Sequence, residues 1–168
     1  MRAFIAIDPD IKTEKHIESL KGSLPTGVRP AKGCHLTLKF LGNIQNVDEV
    51  IEALHKIEFK PLKLKLAEIG YFPSSKYIMV VWVGLEENNM LYSLQQDIDS
   101  VLNSKSKKFH PHITLGRVKY IQDKKKFLDD LKNIIIKPLQ FTVDKFVLYK
   151  STLTPGGPIY EVVEEFVS

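Results

Sequence analysis

The chain has 168 residues, 43% hydrophobic and 26% charged, with a net charge of +4. That is enough for one domain with a real core, and no apolar run approaches the roughly 20 residues that span a bilayer. The single cysteine, Cys34, excludes an intramolecular disulfide; the short, soon acidic N-terminus does not read as a signal peptide, and the expected location is intracellular, in the cytoplasm.

The elements follow in chain order from periodicity and punctuation. A strand over 2–7 precedes a helix over 10–22. A strand over 34–41, a helix over 46–57 and a strand over 62–69 complete the first half. Ser74-Ser75 marks a central turn. The second half repeats the order: strand 77–84, helix 89–103, strand 111–117, helix 123–135, strand 141–149. Thr154-Pro155-Gly156-Gly157-Pro158 makes a last hairpin loop before a strand over 159–167.

The halves are a cryptic duplication with an offset of 77 residues. His35-Leu36-Thr37-Leu38 returns as His112-Ile113-Thr114-Leu115, and Lys60-Pro61-Leu62 returns as Lys137-Pro138-Leu139. Asn46 and Asp123 are equivalent helix N-caps. Behind them Val50, Ile51, Leu54 and Ile57 match Phe127, Leu128, Leu131 and Ile134. Each half therefore reads β-α-β-α-β. The implied architecture is α+β, with two pseudo-symmetric lobes whose equivalent strands face each other across a cleft. One domain spans 1–168, with lobe-forming halves of about 1–73 and 74–168 and room for strand exchange between them.

Residues i and i+2 of a strand share a face. His35, Thr37 and Lys39 are thus expected on one face, with Leu36, Leu38 and Phe40 on the other. His112 and Thr114 repeat this, against Ile113 and Leu115. Two imidazoles that titrate near neutrality can split the roles of acid and base. Two threonine hydroxyls can donate to phosphate oxygens. Arginine is scarce: only Arg2, Arg29 and Arg117 occur. Arg117 could neutralise charge on a phosphorane-like transition state. It breaks strand parity with His112, so the strand must end or bulge near Gly116. The mild basic charge fits a polyanion such as RNA or simply a lysine-rich surface.

Other residues are less telling. His16 and His55 sit on helices and read as solvated. His110 shares the His112 face by parity and is a further candidate for substrate contact. Cys34 alternates away from His35 and reads as a small buried thiol rather than a nucleophile. No metal-ligand pattern is present, and no metal or other cofactor is expected.

The segments Cys34-His35-Leu36-Thr37-Leu38-Lys39-Phe40-Leu41-Gly42 and Phe109-His110-Pro111-His112-Ile113-Thr114-Leu115-Gly116-Arg117 resemble the paired signatures of the two-histidine (2H) phosphoesterases. The resemblance is to the RNA 2′,3′-cyclic phosphodiesterase branch, historically called 2′-5′ RNA ligases. The opening Arg2–Asp8 and the closing Phe146–Ser151 with Gly157–Tyr160 resemble that branch too. The resemblance implies a bilobal two-histidine phosphoesterase fold with an antiparallel-rich sheet in each lobe. It implies metal-independent hydrolysis of a 2′,3′-cyclic phosphate at an RNA 3′ end, leaving a 2′-phosphomonoester. His35 would be the general acid, His112 the general base, and Thr37, Thr114 and Arg117 the phosphate holders. Leu38 and Leu115 complete the motifs. Phe4 would either stack on the terminal base or belong to the core. Lys39 would meet an RNA phosphate or only solvent, and Tyr160 is a further contact candidate. The partner would be RNA with a cyclic phosphate end, tRNA fragments included, bound by a monomer with no role for a membrane.

Three alternatives stand beside hydrolysis. The same site run in reverse is a 2′-5′ RNA ligase or a processor of tRNA halves. The substrate could be another cyclic phosphodiester. A non-catalytic RNA-end-binding module would bind without turnover, but binding alone does not require two titratable groups.

Overall fold

A computed structural model describes residues Met1–Ser168. The elements are β1 (Arg2–Ile7), α1 (Ile11–Lys21), β2 (Val28–Pro30), β3 (Leu36–Asn43), α2 (Val47–Leu54), β4 (Leu62–Pro73), β5 (Ile78–Leu85), α3 (Asn89–Val101), β6 (His112–Val118), α4 (Lys124–Lys132), β7 (Gln140–Val143), β8 (Lys145–Thr154) and β9 (Gly157–Val167). All four helices start at a side-chain cap: Asp10, Asn46, Asn88 and Asp123 each accept from the backbone N–H three residues on. The helices expected over 46–57 and 123–135 end early, at Leu54 and Lys132.

The strands form one antiparallel sheet in the order β7-β4-β5-β6-β3-β1-β8-β9, with β2 paired to β6 off that path. The equivalent strands β3 and β6 lie edge to edge in this sheet, not face to face. They share a single bridging pair, Leu36 with Ile113, and then diverge. Leu64 pairs with Phe141 between β4 and β7. Both pairs join residues 77 apart, so a pseudo-twofold axis passes through both. The sheet also interleaves the halves, since β4 pairs with β5 and β8 with β1.

One expectation fails on connectivity, and one strand lies outside the expected set. The strand expected over 141–149 is two strands broken at Asp144, because β7 pairs with β4 whereas β8 leaves to pair with β1. Strand β2 has no periodicity of its own; it forms because it fills the edge of β6 that β3 vacates.

The core lies between one face of the sheet and the helices. Leu36, Leu38, Ile113 and Leu115 of the motif strands are buried there, with Ile17 of α1, Leu91, Leu94 and Ile98 of α3, and Leu131 of α4. On the opposite face a small cluster of Phe4, Ala6, Val147 and Tyr149 is buried beneath Tyr160.

Matching bulges decide what each motif strand presents. Against β1, Thr37 and Lys39 pair with the consecutive residues Ala6 and Ile5, leaving Leu38 unopposed. Against β5, Thr114 and Gly116 pair with Trp82 and Val81, leaving Leu115 unopposed. Leu38 and Leu115 are equivalents, so both copies carry the extra residue at the same place. A bulge puts two successive side chains on one face. Lys39 therefore turns into the protein, and Phe40 turns out. This reverses the parity expected for both. Lys39 is 8% exposed and Phe40 is 73% exposed. The Lys39 ammonium donates to Asp99 Oδ1 at 2.6 Å, Ser106 Oγ at 2.8 Å and Ser104 O at 3.0 Å. It ties β3 to the end of α3 and the segment after it, and does not face the cleft.

Candidate active site

Strand pairing arranges the two motifs as a square. With Leu36 opposite Ile113, His35 stands opposite Thr114, and Thr37 opposite His112. All four are partly exposed while Leu36 and Ile113 beneath them are buried. The histidines occupy diagonal corners. Each histidine has the other copy's threonine as its cross-strand neighbour.

The partners of the two rings differ. His35 Nδ1 lies 2.7 Å from Asp8 Oδ1, and the Tyr149 hydroxyl donates to Asp8 Oδ2. Burial would push the Asp8 carboxyl up, but the bonds from His35 and Tyr149 prevail and hold it below its ordinary value. Burial, then the hydrogen bond to Asp8, raises the Tyr149 hydroxyl, so it stays protonated and keeps donating. His112 Nδ1 lies 2.7 Å from the backbone carbonyl of His110. A carbonyl only accepts, so His112 carries its proton on Nδ1 and keeps the Nε2 lone pair. Burial holds His112 below the ordinary value for an imidazole, and the bond to the His110 carbonyl only partly offsets it.

Aromatic packing fixes both rings. Tyr149, Tyr160 and Phe4 surround His35, with ring centroids 4.6, 5.1 and 5.7 Å away. Phe72 meets His112 edge-on at 5.0 Å, and Trp82 lies 5.9 Å from it. Gly70 makes room for that indole, since a Cβ there would stand 2.1 Å from the Trp82 ring. Gly33, at φ +75°, passes so close to His35 that a Cβ would come within 2.7 Å of Nε2.

A cavity of about 530 Å³ opens over the square, the size of a small-ligand site. Of the residues singled out from sequence, His35, Thr37, Thr114, Arg117, Phe4 and Tyr160 line it. Arg117 reaches it because the Leu115 bulge restores parity. His112 stands at the adjoining corner and is not part of its wall. Neither His110 nor Lys39 lines it. The face of the Phe4 ring is taken by Tyr149, stacked at 5.2 Å. The open ring in the cavity is Phe40, the equivalent of Arg117.

The remaining candidates are structural. Cys34 is buried beside Glu18, 3.1 Å from its carboxylate, and burial followed by that contact pushes the thiol up to about 12. His16 is half-buried rather than solvated, because the Lys137 backbone N–H donates to its Nε2. His55 is exposed and packs on Phe166. The sequence reading missed Asp8, Tyr149, Phe40, Arg2 and Arg29. The one available signal was the scarcity of arginine: the chain has three, and all three line this cavity.

A family profile described as the 2′-5′ RNA ligase superfamily matches residues 9–154. An RNA 2′,3′-cyclic phosphodiesterase of Methanocaldococcus jannaschii is 37% identical over 99% of this chain and 100% of its own length. One of Thermotoga maritima is 38% identical over 98% of this chain and 94% of its own. Among solved structures, LigT of E. coli complexed with 3′-AMP superposes with a TM-score of 0.76 at 26% identity, covering 99% of this chain and 96% of that one. No helix here is long and apolar enough to cross a membrane.

Proposed function

The chain belongs to the 2′-5′ RNA ligase superfamily, and on that premise we propose that it hydrolyses RNA 2′,3′-cyclic phosphate ends to 2′-phosphomonoesters through a His35–His112 acid–base pair. The observation that carries this reading is the unequal partnering of two otherwise equivalent histidines. The Asp8 carboxylate holds His35 through Nδ1 and sets a negative charge beside the ring assigned as proton donor. A carbonyl on His112 Nδ1, with burial, favours the neutral ring, the form that takes one.

His112 Nε2 removes a proton from water as the oxygen attacks phosphorus. The bond from phosphorus to the ribose O3′ breaks, and His35 Nε2 protonates that oxygen. The phosphate remains on O2′. Thr37, Thr114 and Arg117 hold its non-bridging oxygens and offset the charge that builds on them. The Asp8 carboxylate positions His35 and stabilises its charge, and Phe40 offers a platform for the terminal base. The substrate is RNA bearing a cyclic phosphate, cleaved tRNA included, and the protein works in the cytoplasm as a monomer, its two halves forming one bilobal domain.

Incubation of a short RNA ending in 2′,3′-cyclic phosphate, with EDTA present, tests the proposal. The expected product carries a 2′-phosphate, and His35→Ala and His112→Ala each lower kcat by about 10²–10⁴. A 3′-phosphate product, or full turnover by both variants, would sink it.

A further inference from the structure

The cavity holds more positive charge than one cyclic phosphate calls for. Arg2, Arg29, Lys32, Arg117 and Lys119 line it, and no aspartate or glutamate does. None of the five forms a salt bridge anywhere in the molecule. Two of them face each other directly: Arg29 of β2 pairs with Arg117 of β6. Like charges at opposed positions of an antiparallel pair destabilise the sheet, and an anion between or above them reverses that sign. A cyclic phosphodiester carries a single negative charge, which Arg117 and the two threonines already serve in the mechanism above.

Arg29 is placed for something else. It belongs to the short strand that fills the edge β3 leaves, on the far side of Arg117 from β5. Its guanidinium donates to Gly156 O of the β8–β9 hairpin at 3.4 Å. Lys32 runs across Gly157 of the same hairpin, its Cε 3.2 Å from where a Cβ would stand. The connector carrying both cations is pinned from beneath: the buried Lys21 ammonium donates to Ala31 O and Gly33 O, each at 2.8 Å. This wall is held in place, with its charges turned toward the cavity.

We propose that Arg29 and Lys32 form a second phosphate subsite, which grips the phosphodiester on the 5′ side of the terminal nucleotide. The preferred ligand is therefore an oligoribonucleotide of at least two residues rather than a cyclic mononucleotide. This rests on the proposed hydrolysis for its orientation, but its test is a binding measurement that needs no turnover.

The affinity of a nucleoside 2′-phosphate is compared with that of a dinucleotide ending in 2′-phosphate, in wild type and Arg29→Gln. Arg29 is exposed on a three-residue strand, so the variant keeps the fold. The dinucleotide is expected to bind at least tenfold tighter than the mononucleotide, and Arg29→Gln to remove most of that advantage. The slope of log K against log salt for the dinucleotide should become shallower by about 0.7, one single-strand phosphate contact. Lys125→Gln, which removes an equal charge from exposed α4, should leave the advantage intact. Equal affinities for the two ligands, an Arg29→Gln loss shared equally by both, or an equal effect of Lys125→Gln would each overturn the subsite. If the wild type binds as expected but turns over no cyclic phosphate, the subsite stands and the hydrolytic reading fails.

Discussion

Tyr149 and Phe72 stand 77 residues apart, in equivalent places of the two halves, and each packs its ring against a histidine: Tyr149 on His35 at 4.6 Å, Phe72 on His112 at 5.0 Å. They differ by one hydroxyl, and that hydroxyl donates to Asp8. The equivalent of Asp8 in the second half is Leu85. His35 is thus met by a carboxylate and by the tyrosine that donates to it, whereas His112 is met by the hydroxyl-free ring of Phe72 and, at Nδ1, by a backbone carbonyl. The repeat supplies two like histidines, and these two substitutions make them unlike.

Removing the carboxylate tests this directly. Asp8→Asn should lower kcat by about 10–100-fold, because His35 loses the carboxylate that holds its Nδ1. Tyr149→Phe, which frees Asp8 of one donor, should lower it by less. An unchanged kcat in Asp8→Asn would mean that the carboxylate is only structural.

In the proposed mechanism the acid limb of the pH–rate profile belongs to His112. Burial holds its value below 6.5, so the midpoint of the fall in log kcat/KM should lie under 6.5. Phe72→Ala, which admits water beside the ring, should bring the limb back up toward 6.5. Stability follows the same group. A histidine that resists protonation when folded contributes fully above its unfolded value of about 6.5, and that contribution is lost as pH falls through the folded value. Denaturant titrations of wild type and His112→Gln between pH 7 and pH 5 should diverge accordingly.

Gly33→Ala should abolish most activity. The new methyl would approach His35 Nε2 to 2.7 Å, and the φ of +75° disfavours any side chain. Gly42→Ala shares the positive φ but meets nothing within 4 Å. Comparing the two separates backbone strain from loss of the proton donor: both should lower the denaturation midpoint, but only Gly33→Ala should cut kcat steeply.

Lys39→Met should cost about 1–3 kcal/mol, since the partly exposed Asp99 carboxylate loses its counter-charge and keeps only its bonds from Ser106. The salt dependence of RNA binding should not change. A shallower salt slope in this variant would return Lys39 to the binding surface.

The sequence made the histidine–threonine pairs and their buried leucines legible, because alternation is a local property. It could not show Lys39 and Phe40 changing places, since a bulge at Leu38 is visible only in what β1 leaves unpaired. Asp8 was hidden for a different reason. Its role comes from a contact 27 residues along the chain with His35 and another 141 away with Tyr149. Val28-Arg29-Pro30 has no strand pattern, and its proline, which donates no backbone hydrogen bond, is tolerated at a sheet margin. Its conformation is imposed by the edge of β6.

The paired bulges also set how such a site is to be found in other chains. In a regular strand, residues that act together are counted in twos. Here the cavity-facing residues run His35, Thr37, Phe40 in one copy and Thr114, Arg117 after His112 in the other. The interval is two and then three. A search pattern built on alternation stops at the threonine and discards the residue that distinguishes the copies. A pattern that steps two, then three, in both halves at a fixed offset retrieves the ring from one and the charge from the other.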